Sequence, residues 1–133
     1  MALDRERTSR DYLFGRLLAL AEHLESRALY VGGEKRTTNA EKLMQRFADR
    51  PQSTWLNLET NLAPYKVRLS AKRPGFLHNM KEEIDTVVNA FDTEDFVSDK
   101  RLTGEFLLGY HCQRAALRSE PGHDVADVEE ETV

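Results

Sequence analysis

The sequence has little of what secreted and membrane proteins usually contain. Cys112 is the only cysteine in 133 residues, so no internal disulfide can form and a secreted disulfide scaffold is excluded. The longest apolar run, Leu17 to Ala21, ends at Glu22 and falls far short of the roughly 18 residues that a membrane helix needs. The charged N-terminus lacks the apolar core of a secretion signal. We therefore expect a cytoplasmic protein without a membrane partner.

The usual signatures of catalysis and metal binding are also missing. No two of the four histidines stand at the i, i+4 spacing of a helical metal site. The sequence contains no P-loop, no dinucleotide glycine fingerprint and no nucleophile elbow. Cys112 lies in an apolar helical segment, where a free cysteine usually behaves as a small hydrophobic residue. We therefore expect no enzyme activity, no cofactor and no metal.

Amphipathic periodicity predicts an all-α protein, because no segment of useful length alternates as a half-buried strand does. The short connections between the helices favour a compact antiparallel bundle. The five predicted helices cover approximately Ser9–Tyr30, Asn39–Asp49, Ser53–Ala71, Gly75–Phe91 and Ser98–Arg118.

Glycine and proline mark the predicted helix ends. The first helix ends at Gly32 and Gly33, because glycine tolerates the left-handed conformation that often follows a helix. The second ends before Pro51, since a residue that precedes proline avoids the helical region. Pro64 lies inside the third helix, and we expect a kink or a break there. Ser98 is a suitable cap for the fifth.

The apolar stripes of these helices define the predicted core. Trp55 and Tyr65 could stack on nucleic-acid bases, but their spacing favours core positions. The predicted core consists of Tyr12, Leu13, Leu17, Leu20, Leu24, Ala28, Ala40, Leu43, Met44, Phe47, Trp55, Leu58, Leu62, Tyr65, Leu69, Phe76, Leu77, Met80, Ile84, Val87, Val88, Phe91, Leu102, Phe106, Leu107, Tyr110 and Ala115.

The helical pattern stops at Ser119. From there on, proline, glycine and six acidic residues, including Glu129 to Glu131, leave too little apolar surface to offset the entropy of ordering the chain. The sequence therefore predicts one helical bundle domain over residues 1–118 and a disordered acidic tail over residues 119–133.

The net charge of −4 averages two regions of opposite sign. Lys35 to Lys81 contains ten basic and three acidic residues, a net charge of +7, whereas Glu82 to Asp99 contains seven acidic residues and no basic one. A local basic stretch can bind a polyanion whatever the overall charge is. It can equally be the solvated face that any helical protein needs, and composition alone leaves both interpretations open.

Two segments resemble a known family. Residues 12–22, YLFGRLLALAE, resemble the opening of the C-terminal helical region of the type I-C CRISPR large subunit. Residues 104–114, GEFLLGYHCQR, resemble the closing helix of the same region. The order and spacing of the two segments also fit, so the resemblance covers approximately residues 10–118.

This resemblance implies a role in the CRISPR interference complex, Cascade. Only about ten residues precede the matched region, so we expect the separate small subunit that is made from an internal start within the large-subunit gene. The resemblance also implies the partners of this chain. They are the backbone and large subunits, further copies of the same chain, guide RNA and target DNA, including the displaced strand.

Together with this resemblance, the basic stretch predicts a surface that contacts phosphates rather than reads bases, because guide pairing reads the sequence. Lysine and arginine at i, i+4 spacing share a helix face. The predicted nucleic-acid-binding residues are Lys35, Arg36, Lys42, Arg46, Lys66, Arg68, Lys72 and Arg73.

Two other functions are compatible with the sequence. The first is a protein-binding helical adaptor, in which basic and acidic faces pair between copies and no nucleic acid is bound. The second, with much weaker support, is a small helical enzyme that uses His111 or Cys112. Salt-dependent binding of single-stranded DNA separates the leading hypothesis from both.

Overall fold

The computed structural model describes residues 2–119, without the side chain of Ser119. Within them the chain forms eight α-helices and no β-strand, which confirms the all-α class. The predicted tail lies outside the described residues, apart from Ser119, at which the last helix ends. The helices are α1 (Arg10–Val31), α2 (Asn39–Lys42), α3 (Met44–Asp49), α4 (Pro51–Asn61), α5 (Ala63–Lys72), α6 (Pro74–Ala90), α7 (Thr93–Val97) and α8 (Glu105–Ser119).

Helix α1 is the centre of the molecule. Every residue from 12 to 21 is buried, whichever way its side chain points. A surface helix would expose one polar face, so the first half of α1 is enclosed by other elements on all sides. The sequence allows this because the only charged residue within that span, Arg16, has partners on two other helices: its Nε donates to Oε1 of the buried Gln113 over 2.7 Å, and its Nη2 contacts the partly exposed Glu83 at 3.3 Å.

Helix α8 packs along α1, and the two helices are parallel. Tyr12 lies against Gly109 and Arg16 contacts Gln113, so the contacts advance in the same direction along both helices. Two glycines allow the backbones to approach closely. A Cβ at Gly15 would lie 2.7 Å from the Tyr110 nitrogen, and one at Gly109 would lie 2.9 Å from the Tyr12 carbonyl carbon. The parallel pair departs from the antiparallel arrangement that the short connections favour.

Helix α6 covers another side of α1 and runs antiparallel to it. The tilted rings of His23 and Phe76 lie 5.4 Å apart between centroids, whereas Arg16, earlier in α1, contacts Glu83, later in α6. Helix α5 also packs against α1, where the Arg68 guanidinium donates to the Ala28 carbonyl oxygen over 2.9 Å. The antiparallel prediction therefore holds for α1 and α6.

Two predicted helices are interrupted. The second divides at Leu43 into α2 and α3, and the third divides at Leu62 into α4 and α5. Pro64 lies in the first turn of α5. An N–H group at this position would have no acceptor within the helix, so its absence from proline costs no helical hydrogen bond. The predicted break near Pro64 is therefore confirmed, and the break at Leu43 was not foreseen.

The predicted start of the fifth helix at Ser98 is wrong. The chain forms the short helix α7 before this point, and it is non-helical from there until α8 begins at Glu105. Arg10 holds this connection by donating to the carbonyl oxygens of Ser98 and Lys100. The donor of both hydrogen bonds is a side chain on α1, far away in the sequence, and a local helical pattern does not reveal it.

The core contains most of the predicted residues. Phe14, Phe47 and Phe106 pack face to face and edge to face in its middle, with centroids 5.9 and 5.8 Å apart. Leu107 is a wrong prediction, because 45% of it is exposed. Six of the predicted core residues are only partly buried: Leu43, Met44, Tyr65, Val88, Phe91 and Ala115.

Candidate nucleic-acid interface

The loop after α1 carries the first predicted cations. Gly33 has a φ of 73°, the left-handed conformation that glycine adopts at low cost, and it lets the chain leave the helix. Lys35 and Arg36 follow, and both are exposed. The loop leads directly into α2, whose first turn is capped by the hydroxyl of Thr38, which accepts from the Glu41 N–H over 3.1 Å.

Arg36 is fixed on the surface by its neighbours. Its Nη2 donates to the Tyr65 hydroxyl, its guanidinium lies 5.9 Å from the ring centroid, and its Nη1 lies 3.7 Å from the Glu25 carboxylate. Glu25 is fully buried and accepts from the backbone N–H groups of Asn39 and Ala40 over 2.6 and 3.1 Å. A buried carboxylate on α1 therefore joins the loop to the start of α2.

Arg68 lies near the same tyrosine. Its guanidinium carbon is 5.8 Å from the Tyr65 centroid, and its Nη1 donates to the Glu34 carboxylate over 2.6 Å as well as to Ala28. A Cβ at Gly32 would lie 2.9 Å from the guanidinium carbon, so the glycine makes room for this arginine. We call Arg36, Tyr65, Arg68, Glu25 and Glu34 the loop cluster.

A second basic feature is a shallow groove of about 500 Å³ on α2 and α3. Both Lys42 and Arg46 line it, as their i, i+4 spacing predicts, although Leu43 interrupts the helix between them. Arg50, which the sequence-based list omits, lines it as well. The α2–α3 groove consists of Lys42, Leu43, Gln45, Arg46, Asp49 and Arg50.

Arg50 could have been selected from the sequence. It belongs to the same +7 stretch, and it stands directly before Pro51, at the junction of two helices. Arg46 and Arg50 also stand at i, i+4 spacing, the same signal that joins Lys42 to Arg46. Asp49 is the only acid in the groove, and Arg101 neutralises it at 2.9 Å.

The remaining predicted cations are divided between surface and interior. Lys72, the last residue of α5, is exposed, and Lys66 on the same helix is half-buried. Arg73 is only 3% exposed, because it lies in the corner between α5 and α6, ending one helix and preceding the other. A side chain buried there does not reach a phosphate outside, so we leave Arg73 out of the interface.

The acidic stretch is partly structural. Glu83 pairs with Arg5 at 2.7 Å and with Arg16 at 3.3 Å. Asp99 caps α4 from a distance: it accepts from the Gln52 and Ser53 N–H groups, both over 3.1 Å, and from the Ser53 hydroxyl. These hydrogen bonds hold the pKa of Asp99 below its usual value.

Of the two residues considered for catalysis, His111 is exposed and Cys112 is buried. Cys112 is 4% exposed in the α1–α8 contact. Burial and the nearby Glu22 carboxylate, which accepts from the Tyr110 hydroxyl over 2.6 Å, raise the pKa of Tyr110 above its usual value. Among residues 2–119, no three His, Cys, Asp or Glu side chains are grouped as a metal site would require. In the same part of the chain, no helix is both long and apolar enough to cross a membrane.

The fold and surface define an all-α protein with two basic features, the loop cluster and the α2–α3 groove. The chain belongs to a family of CRISPR-associated proteins: the family model described as CRISPR-associated protein (Cas_Csd1) matches residues 1–118. The family resemblance drawn from residues 12–22 and 104–114 is thereby confirmed. A comparison with curated proteins finds no match.

Proposed function

We propose that this chain is a non-catalytic small subunit of the type I-C Cascade complex, and that it binds the backbone of nucleic acid. Its ligands are the guide RNA–target DNA hybrid and the displaced DNA strand, and its protein partners are the backbone and large subunits and further copies of itself. Family membership supports the place in a CRISPR complex. The observation that supports backbone binding is the α2–α3 groove, where three cations share one exposed surface.

The chemistry of the groove suits phosphates better than bases. Arginine offers a planar set of donors that matches two phosphate oxygens, and lysine offers a compact charge. Trp55, the largest aromatic residue, is 1% exposed and therefore does not offer a stacking surface. A set of cations without an exposed tryptophan supports binding that depends on charge and tolerates any sequence.

The test is a reconstituted Cascade complex that carries Lys42→Ala and Arg46→Ala together. We expect the complex to assemble and to bind target DNA several-fold more weakly, since about two phosphate contacts are lost. The matched control carries Lys81→Ala and Lys100→Ala. It loses the same charge at two exposed positions outside the groove, and we expect it to bind target nearly as wild type does.

The outcomes separate the competing functions. If the groove variant binds target as tightly as the control while the complex assembles, backbone binding is wrong and the protein-binding adaptor replaces it. If the wild-type chain does not co-purify with the other subunits and guide RNA, membership of the complex as a separate subunit is wrong. Activity that disappears on alkylation of Cys112 would support the enzyme alternative.

A further inference from the structure

In the loop cluster, the carboxylate of Glu34 lies beside Arg68, one of the predicted nucleic-acid-binding residues. Arg68 is 35% exposed and Glu34 is 41% exposed, and 2.6 Å separates Nη1 from the carboxylate oxygen. The hydrogen bond from Arg68 holds the pKa of Glu34 below its usual value, so the carboxylate is ionised at neutral pH. The pair therefore presents much less net positive charge to solvent than an isolated arginine would.

Arg68 is held in one position from several directions. Its Nη1 donates to Ala28, its guanidinium lies near the Tyr65 ring, and Gly32 provides the space that it fills. Both hydrogen bonds use Nη1, and within residues 2–119 the structure assigns no hydrogen bond to Nε or Nη2. Nη1 is thus anchored to the protein, and in a side chain that is 35% exposed Nε and Nη2 are the donors left for a phosphate.

We infer that Glu34 is an internal counter-ion that weakens phosphate binding at Arg68, and that it thereby keeps the affinity of this surface for nucleic acid low. A phosphate and a carboxylate are alternative partners of the same guanidinium. A phosphodiester that approaches the open edge of Arg68 therefore meets the repulsion of Glu34 or must displace it. This inference rests on the proposed function and adds the regulation of its affinity.

A weak surface is useful to a protein that tolerates any sequence. A non-specific binder with uncompensated cations would be occupied by whatever nucleic acid is present, because charge supplies nearly all of its affinity. A built-in counter-ion lowers the affinity for a phosphate at one site. Stable binding then requires an ordered strand that places several of its phosphates on the surface at once.

The decisive variant is Glu34→Gln, which keeps an amide oxygen to accept from Arg68 but removes the charge. We expect it to bind fluorescein-labelled oligo(dT) about three- to fivefold more tightly than wild type at low salt, because the carboxylate no longer competes with phosphate for Arg68. The matched control is Glu59→Gln, which removes one exposed acid on α4 within the same basic stretch. We expect it to change the affinity by less than about twofold.

A second comparison tests whether the effect passes through Arg68. In a chain that carries Arg68→Ala, Glu34→Gln should no longer increase the affinity, because the cation that it neutralised is gone. Thermal unfolding of each variant checks that the loop remains folded. An equal gain from Glu34→Gln with and without Arg68 would show a general effect of charge and would overturn the inference.

Failure of the inference can be distinguished from failure of the proposed function. If wild type binds oligo(dT) with a clear salt dependence and Glu34→Gln behaves like Glu59→Gln or binds more weakly, only the counter-ion role is wrong. If wild type shows no salt-dependent binding at all, the proposed function is wrong, and the counter-ion role with it.

Discussion

At the scale of single residues, two glycines have the clearest structural role. Gly15 on α1 and Gly109 on α8 each face backbone atoms of the other helix, and neither has room for a side chain. Both lie in the segments that carry the family resemblance. The motifs are therefore explained by packing, since these two glycines let α1 and α8 approach closely.

Gly15→Ala is expected to destabilise the protein by about 3 kcal/mol or more, because the new methyl group would collide with the backbone of α8 rather than with a movable side chain. Gly104→Ala is the matched control, since no atom lies within 4 Å of a Cβ at that position. Urea unfolding should show a loss below about 1 kcal/mol for the control. Equal losses at the two positions would contradict the close α1–α8 contact.

Phe106→Ala is expected to cost roughly 3–5 kcal/mol, as truncation of a large core side chain does. Phe106 is 2% exposed and stacks on Phe47. Leu107→Ala, next to it in the sequence but 45% exposed, should cost less than about 1 kcal/mol. Chemical denaturation of the two variants measures the difference, and a larger loss at Leu107 would reverse the assignment of the buried face.

The wrong prediction at Leu107 shows that apolar periodicity alone does not identify the buried face of a helix. The buried face of α8 includes Gly109, Cys112 and Gln113, and Gln113 is 1% exposed because it accepts from Arg16. A polar residue that finds its partner on another helix leaves no apolar signal in the sequence. Arg73 is buried for a related reason, because it lies in the corner between α5 and α6.

At the scale of elements, the connection between α6 and α8 determines the topology. Since α6 runs antiparallel to α1, it ends beside the start of α1, and α8 can begin there and run parallel to α1. The segment from α7 to Gly104 links the two helices at this end of α1, held by Arg10 and by the Leu102 N–H, which donates to the Ala48 carbonyl oxygen over 2.8 Å. The periodicity of residues 98–104 resembles the start of a helix, and only these distant partners show otherwise.

Asp99, in this connection, gives the stability a pH dependence. Its pKa is lowered in the folded protein, so the stability that it contributes is present above the unfolded pKa of about 4 and is lost as the pH falls through the folded pKa. Asp99→Ala should cost roughly 1 kcal/mol at pH 7, because α4 loses its cap. The difference from wild type should shrink as urea unfolding is repeated at lower pH. A difference that stays constant down to the acid transition would show that the carboxylate charge is not involved.

Glu25 is the corresponding residue at the start of α2. Glu25→Ala should cost about 3 kcal/mol, because two backbone N–H groups lose their acceptor inside the protein. Glu59→Ala, at an exposed position, should cost less than about 0.5 kcal/mol. Equal thermal midpoints of the two variants would contradict the role of Glu25 in holding the loop cluster.

At the scale of the whole molecule, the sequence predicts the helical class, most of the core and the basic region, because these follow from composition and periodicity. The sequence does not predict which of these cations are exposed, which are paired with carboxylates and which are buried. Arg36 and Arg68 are held by carboxylates, Arg73 is buried, and Arg50 joins the groove. Those differences depend on tertiary neighbours, which a one-dimensional charge count does not include.

The most direct test of the central claim is the salt dependence of single-stranded DNA binding by the full chain with and without the groove cations. For the combined variant Lys42→Ala, Arg46→Ala and Arg50→Ala, the slope of log Kobs against log salt should become shallower by about 2, near 0.7 for each lost phosphate contact. Lys81→Ala with Lys100→Ala should leave the slope nearly unchanged. A groove variant whose slope and affinity equal those of wild type would contradict nucleic-acid binding by this surface.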